Sequence, residues 1–232
     1  MRKIGLLGGM SWESTREYYR IINEQVRASC GGLTSAPILL ESYDFAPIAE
    51  KQKAGDWEAL EAQLAASAKW LEQGGAEAIL ICTNYMHRCA PAVEAALSKA
   101  RLLHIADCIG QRALAAGHNK LGLIGAAGTM EHPFYRERLE VMGIEVCIPP
   151  EKARAEINRI IFEELCVGRF EAASRERYLA IIHALATQQG AQGIILGCTE
   201  IEQLILPQHT NLPLYPSAQM HAESAVEFIL EK

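Results

Sequence analysis

Two cysteines end apolar runs in the same way. Cys82 and Thr83 close "ILICT" (79–83), and Cys198 and Thr199 close "IILGCT" (194–199). Such runs read as buried strands. In open parallel sheets, ligands bind beyond the carboxyl ends of the strands. There the chain enters a turn or helix whose free N–H groups favour negative charge. A cysteine at that point is expected to have its pKa lowered from about 8.5 towards neutrality, which makes a usable thiolate. Two such thiols suit one chemistry in particular. One group takes a proton from one face of a carbon and the other returns a proton to the opposite face, each serving as base in one direction and acid in the other. The bland alternative is that a free cysteine is a small buried hydrophobe. That is the expectation for Cys30, Cys89, Cys108, Cys147 and Cys166. The repeated Cys-Thr pair sets Cys82 and Cys198 apart.

The neighbours of these pairs extend the candidate site. Thr83 and Thr199 can cap a helix and donate a hydroxyl to a ligand. The loop "GGMSWEST" (8–15) offers backbone donors, with Ser11 and Thr15 in reach. Its glycines do not form G-x-G-x-x-G, and no G-K-[ST] follows, so a carboxylate is a more natural guest than a nucleotide. The corresponding loop "GAAGTM" (125–130) supplies Thr129. His87 and His104 read as satisfied structural groups, and Trp12 and Tyr135 as packing.

The elements that must position these residues alternate along the chain. Strands are expected at 3–8, 36–42, 78–81 and 101–105, with helices at 14–28, 56–75, after Pro91 and at 108–117. The pattern then restarts. "KLGLIG" (120–125) echoes "KIGLLG" (3–8), and Cys198 echoes Cys82, at offsets of 117 and 116 residues. Further strands are expected at 144–149 and 193–197, with helices around 151–166 and 171–189, and "PLYPSA" (213–218) resembles "LLHIAD" (102–107). Aligned without gaps, 73–84 and 189–200 share six of twelve residues, the cysteines among them. A domain-sized period argues for two similar lobes rather than a solenoid. The fold class is therefore α/β: two pseudo-symmetric lobes, each a short parallel sheet flanked by helices. The first lobe is expected to comprise residues 1–98 plus about 208–232, and the second 99–207.

Composition narrows the function classes. Half of the 232 residues are hydrophobic and 22% are charged, as in ordinary globular proteins. The net charge of −6 advertises neither nucleic acid nor anionic lipid. No apolar run approaches a membrane span, and the N-terminal apolar stretch breaks at Gly8 and Gly9, too early for a signal peptide. Seven cysteines without C-x-x-C spacing argue against a disulfide framework and a structural zinc site. A cytoplasmic location is the expectation.

The segments "GLLGGMSWEST", "CTN" (82–84), "GCTE" (197–200) and "INRIIFEELCVG" (157–168) resemble the aspartate/glutamate racemase family along the whole chain. The likeness is greatest to its broad-specificity, cofactor-independent amino-acid racemases. The resemblance implies two α/β lobes with the active site in the cleft between them, a homodimer, a small amino-acid substrate, and neither nucleic acid nor membrane as a partner. It implies no pyridoxal phosphate, no other cofactor and no metal. It makes Cys82 and Cys198 the acid/base pair. Thr83, Asn84, Thr129, Thr199 and Glu200 would contact the substrate, with Met10, Ser11 and Gln52 added from the first lobe. Cell-wall glutamate racemases carry His where Glu200 stands, which disfavours that branch. Aspartate-specific members hold the side-chain carboxylate with basic residues, and Gln52 stands near that place. A maleate isomerase or decarboxylase relative would need a single thiol or a substrate without an amino group. A binding protein would hold a small carboxylate without exchanging its α-proton.

Overall fold

The computed structural model describes residues 1–231. Its strands are β1 (Ile4–Gly8), β2 (Ile38–Ser42), β3 (Ala78–Ile81), β4 (Arg101–Leu102), β5 (Lys120–Gly125), β6 (Glu145–Cys147), β7 (Gly193–Gly197) and β8 (Leu214–Pro216). The helices are α1 (Trp12–Cys30), α2 (Phe45–Ala54), α3 (Trp57–Gln73), α4 (Ala90–Ala96), α5 (Ile105–Ala115), α6 (Ala127–Glu131), α7 (Pro133–Val141), α8 (Glu151–Glu163), α9 (Ala172–Gln189), α10 (Thr199–Leu204) and α11 (Ser217–Leu230). The strands form two four-stranded parallel sheets, ordered β2-β1-β3-β4 and β6-β5-β7-β8. The second order repeats the first, so the echo of "KIGLLG" in "KLGLIG" marks two equivalent central strands.

The chain divides into two compact units, Met1–Ile105 with the chain from Ala218 onward, and Ala106–Ser217. These boundaries fall later than the expected 98 and 207. The cause is pairing: β4 is bonded to β3 of the first sheet, and β8 to β7 of the second. The helix after each last strand then joins the other unit. α11 packs Ala222, Ala225, Phe228 and Ile229 against Ile4, Leu6 and Leu80 of the first sheet. α5 holds Arg138 of α7 through Asp107, at 2.7 Å, within the second unit.

The residues explain the elements. β1, β3 and β7 are buried along their whole length, as expected of strands covered on both faces. α1 buries Tyr18, Ile22 and Val26 at helical spacing. Asp56 caps α3 by accepting from Ala59 N–H at 3.3 Å. Three expectations need correction. The stretch expected as strand 101–105 ends at Leu102, because α5 already begins at Ile105. Trp12, expected to pack, is 60% exposed. Cys30 and Cys166, expected in the core, are exposed: Cys30 closes α1, and Cys166 is the middle residue of the one-turn 3-10 helix Leu165–Val167.

Close approach between central strands is fixed at Gly125. A Cβ there would lie 2.9 Å from the Gly197 carbonyl oxygen, one residue before Cys198. Gly125→Ala is expected to cost about 1–3 kcal/mol through overpacking. Urea unfolding should show this as a lower midpoint, and an unchanged midpoint would contradict the packing described.

Candidate functional site

In the first unit, Cys82 lies one residue past the end of β3. Its N–H continues the ladder to Leu7 O at 2.9 Å. Its carbonyl accepts the Ser14 hydroxyl at 2.9 Å. Thr83 N–H turns back to Ile81 O at 2.8 Å, closing a three-residue turn with Cys82 at its centre. The Thr83 carbonyl accepts from His87 Nδ1 at 2.8 Å. His87 stands in the 3-10 helix Tyr85–Cys89, which follows Asn84 directly. Four hydrogen bonds thus fix the peptides on both sides of the thiol.

The loop from β1 lies in the same unit. Ser11 caps α1, accepting from Ser14 N–H at 3.5 Å. Thr15, expected to be free for a ligand, instead accepts from Gly9 N–H at 2.8 Å and donates to Ser11 O at 3.0 Å. It therefore braces the loop. Met10 is buried with Ile48, Ile81 and Met86. Gln52, on α2, reaches the Met86 sulfur with its amide nitrogen at 2.9 Å. Asn84 is buried and Thr83 partly exposed.

In the second unit Cys198 lies one residue past β7 and is the N-cap of α10, its carbonyl accepting from Ile201 N–H at 3.1 Å. The residue is half-buried, and its thiol donates to Glu200 Oε2 at 2.8 Å. The Thr199 hydroxyl donates to the same oxygen at 2.8 Å. Ser217 holds the end of β7 by donating to Leu196 O at 2.7 Å. Thr129 is buried beside Gly197, its methyl 3.4 Å from where a Cβ would stand. So Cys198, Thr199, Glu200 and Thr129 come together, and Cys82, Thr83 and Asn84 do likewise.

The expected lowering of the thiol pKa values is reversed. Burial pushes the Cys82 thiol well up. Burial is also the main cause at Cys198, and the Glu200 carboxylate raises it further by repelling a thiolate and by accepting the thiol hydrogen. The Glu200 N–H works the other way without prevailing. A helix of six residues gives too weak a positive end to overcome desolvation. Among the described residues, no three His, Cys, Asp or Glu side chains converge to hold a metal ion, and no helix is long and apolar enough to cross a membrane.

Sequence reasoning missed Ser14, Ser217 and His87 as holders of the strand ends. Only the spacing of His87, four residues past Thr83 and so one turn on, hinted at its bond.

The profile of the Asp/Glu/Hydantoin racemase family matches residues 7–225. The chain belongs to that family. It is an isomerase of racemase type. A candidate Asp/Glu racemase from Yersinia pestis is 46% identical, with 100% of both chains covered and a TM-score of 0.94. An aspartate racemase homologue from Pyrococcus horikoshii OT3 is 31% identical, with 100% of both chains covered and a TM-score of 0.89. The aspartate racemase of Picrophilus torridus, at 16% identity, shares the fold over 100% of this chain and 96% of its own, with a TM-score of 0.74.

Both thiols of the ligand-free protein are therefore protonated at neutral pH. Iodoacetamide should label Cys82 and Cys198 slowly at pH 7 and faster as pH rises. Glu200→Gln removes the repelling charge, so the Cys198 labelling curve should move to lower pH while that of Cys82 stays in place. Peptide mass spectrometry checks both, and a Cys198 curve moving upward would refute the role given to Glu200.

Proposed function

We propose that this family member is a cofactor-independent amino-acid racemase with Cys82 and Cys198 as its two proton carriers. The supporting observation is their equivalence: each thiol stands just past the strand that pairs with the central β1 or β5. In one direction a thiolate removes the α-proton and becomes a thiol, while the other thiol gives its proton to the opposite face and becomes the thiolate. Running the pair backwards serves the other enantiomer. Thr83, Asn84, Thr129 and Thr199 are the polar groups we assign to the substrate carboxylate and ammonium. Glu200 is assigned to the Cys198 proton, since it already accepts it.

The names of the 46% and 31% identical relatives make aspartate and glutamate the first substrates to try. The first unit supports a wider range. Gln52 is neutral, Lys51 is bonded to Gln63 at 2.8 Å, and Arg88 lies over the Trp57 ring at 4.0 Å. A side-chain carboxylate would find no dedicated ion-pair partner among these. One asymmetry favours a second reading. Of the two paired thiols, that of Cys198 donates to a carboxylate, which would suit a single-thiol maleate isomerase or decarboxylase on the same scaffold.

A panel of L- and D-amino acids in deuterated buffer separates the readings. Wild-type protein should exchange the α-proton and racemise at least one amino acid, without added pyridoxal phosphate and after EDTA treatment. Cys82→Ala and Cys198→Ala should each abolish racemisation yet slowly exchange opposite enantiomers with retention. If either variant racemises at near wild-type rate, the two-thiol mechanism fails.

A further inference from the structure

The first unit buries three histidines in one cluster. The ring centroids of His87 and His104 are 4.7 Å apart, and those of His87 and His221 are 5.5 Å apart. Backbone partners dictate which nitrogens carry hydrogen. Ile105 N–H can only donate, and it meets His87 Nε2 at 3.2 Å. His87 Nε2 is therefore an acceptor, and Nδ1–H donates to the Thr83 carbonyl at 2.8 Å. The Leu103 carbonyl can only accept, so His221 Nε2–H donates to it at 2.6 Å. His221 Nδ1 meets the Tyr18 hydroxyl at 2.8 Å, a group that can donate or accept. His87 therefore carries its hydrogen on Nδ1, and both of its nitrogens are engaged. His87 has no nitrogen left with which to take a proton from Cys82.

We propose that His87 is a positioning residue for Cys82, fixing the peptide that follows the thiol and tying it to the first N–H of α5. This rests on the two-thiol reading above. The carbonyl of Thr83 lies one peptide beyond the cysteine. Holding it anchors Thr83, whose own N–H closes the turn to Ile81 O with Cys82 at its centre. His221 and Tyr18 hold the other end of the clamp, because Leu103 and Ile105 flank the same short link between β4 and α5. A misplaced thiolate costs rate steeply, on the order of 10²-fold for 1 Å.

Two substitutions split the clamp. In His87→Asn the side-chain amide can replace the Nδ1 donor and keep the Thr83 bond. In His87→Gln the side-chain oxygen can replace the Nε2 acceptor and keep only the Ile105 bond. Cys198→Ala in deuterated buffer first identifies which enantiomer depends on Cys82. For that enantiomer, α-proton exchange by His87→Gln should fall on the order of 10²-fold, while the other enantiomer keeps near wild-type exchange. His87→Asn should recover most of the lost rate. Equal slowing of both enantiomers, or no advantage of Asn over Gln, overturns the proposal. If wild-type protein exchanges no amino acid, the racemase reading fails instead, and iodoacetamide still tests the clamp. His87→Gln should then speed Cys82 labelling and leave Cys198 unchanged, and an unchanged Cys82 rate overturns it. Should His87→Gln not fold, His87→Asn decides: selective loss of the Cys82-dependent exchange in the folded variant refutes the clamp.

Discussion

A parallel strand that ends in a functional side chain must satisfy its last peptides without the ladder that satisfied the others. Buried N–H and carbonyl groups left unpaired cost about 1–3 kcal/mol each. At Cys82 the solution uses four different segments: Leu7 of β1, Ser14 of α1, Ile81 of β3 itself, and His87 of the following turn. Much else serves this end. Thr15 and Ser11 brace the loop that delivers Ser14, and α11 brings the buried His221 that grips Leu103.

The second unit meets the same demand with fewer parts. Ser217 closes the end of β7, and the cysteine carbonyl enters α10 directly. At the sulfur itself stands Glu200, which accepts the thiol hydrogen. Equal topology therefore carries unequal cysteines: one fully buried and held through its backbone, the other half-buried as a residue and held through its thiol hydrogen. A duplicated fold conserves where a side chain stands. It leaves its surroundings free to diverge, since those come from loops and short helices rather than from the sheet.

This division explains what could be read from the chain alone. β3, β5 and β7 fall where the apolar runs place them, because a strand buried on both faces must be apolar throughout. The cysteines at their ends were legible for the same reason. The histidine clamp was not, because it joins residues from Tyr18 to His221 that approach only after folding. The direction of the thiol pKa values is not legible in the chain, because helix ends are visible in sequence while desolvation is not. Nor is the exposure of Cys166 and Trp12, since isolated exposed apolar side chains are ordinary.

Raised thiol pKa values fit the proposed chemistry better than lowered ones would. The α-hydrogen of an amino acid is a very weak acid, and a base gains strength as the pKa of its conjugate acid rises. A thiol lowered to neutrality would ionise readily but pull weakly. A buried thiol ionises only when something offsets the desolvation. An amino-acid ammonium brought beside it supplies positive charge where water cannot, and so favours the thiolate while the substrate is present. The free enzyme then keeps both sulfurs protonated and poorly reactive. Under this reading, burial protects both thiols at rest and strengthens the base in the complex, and at Cys198 the Glu200 carboxylate adds to that protection by accepting the thiol hydrogen.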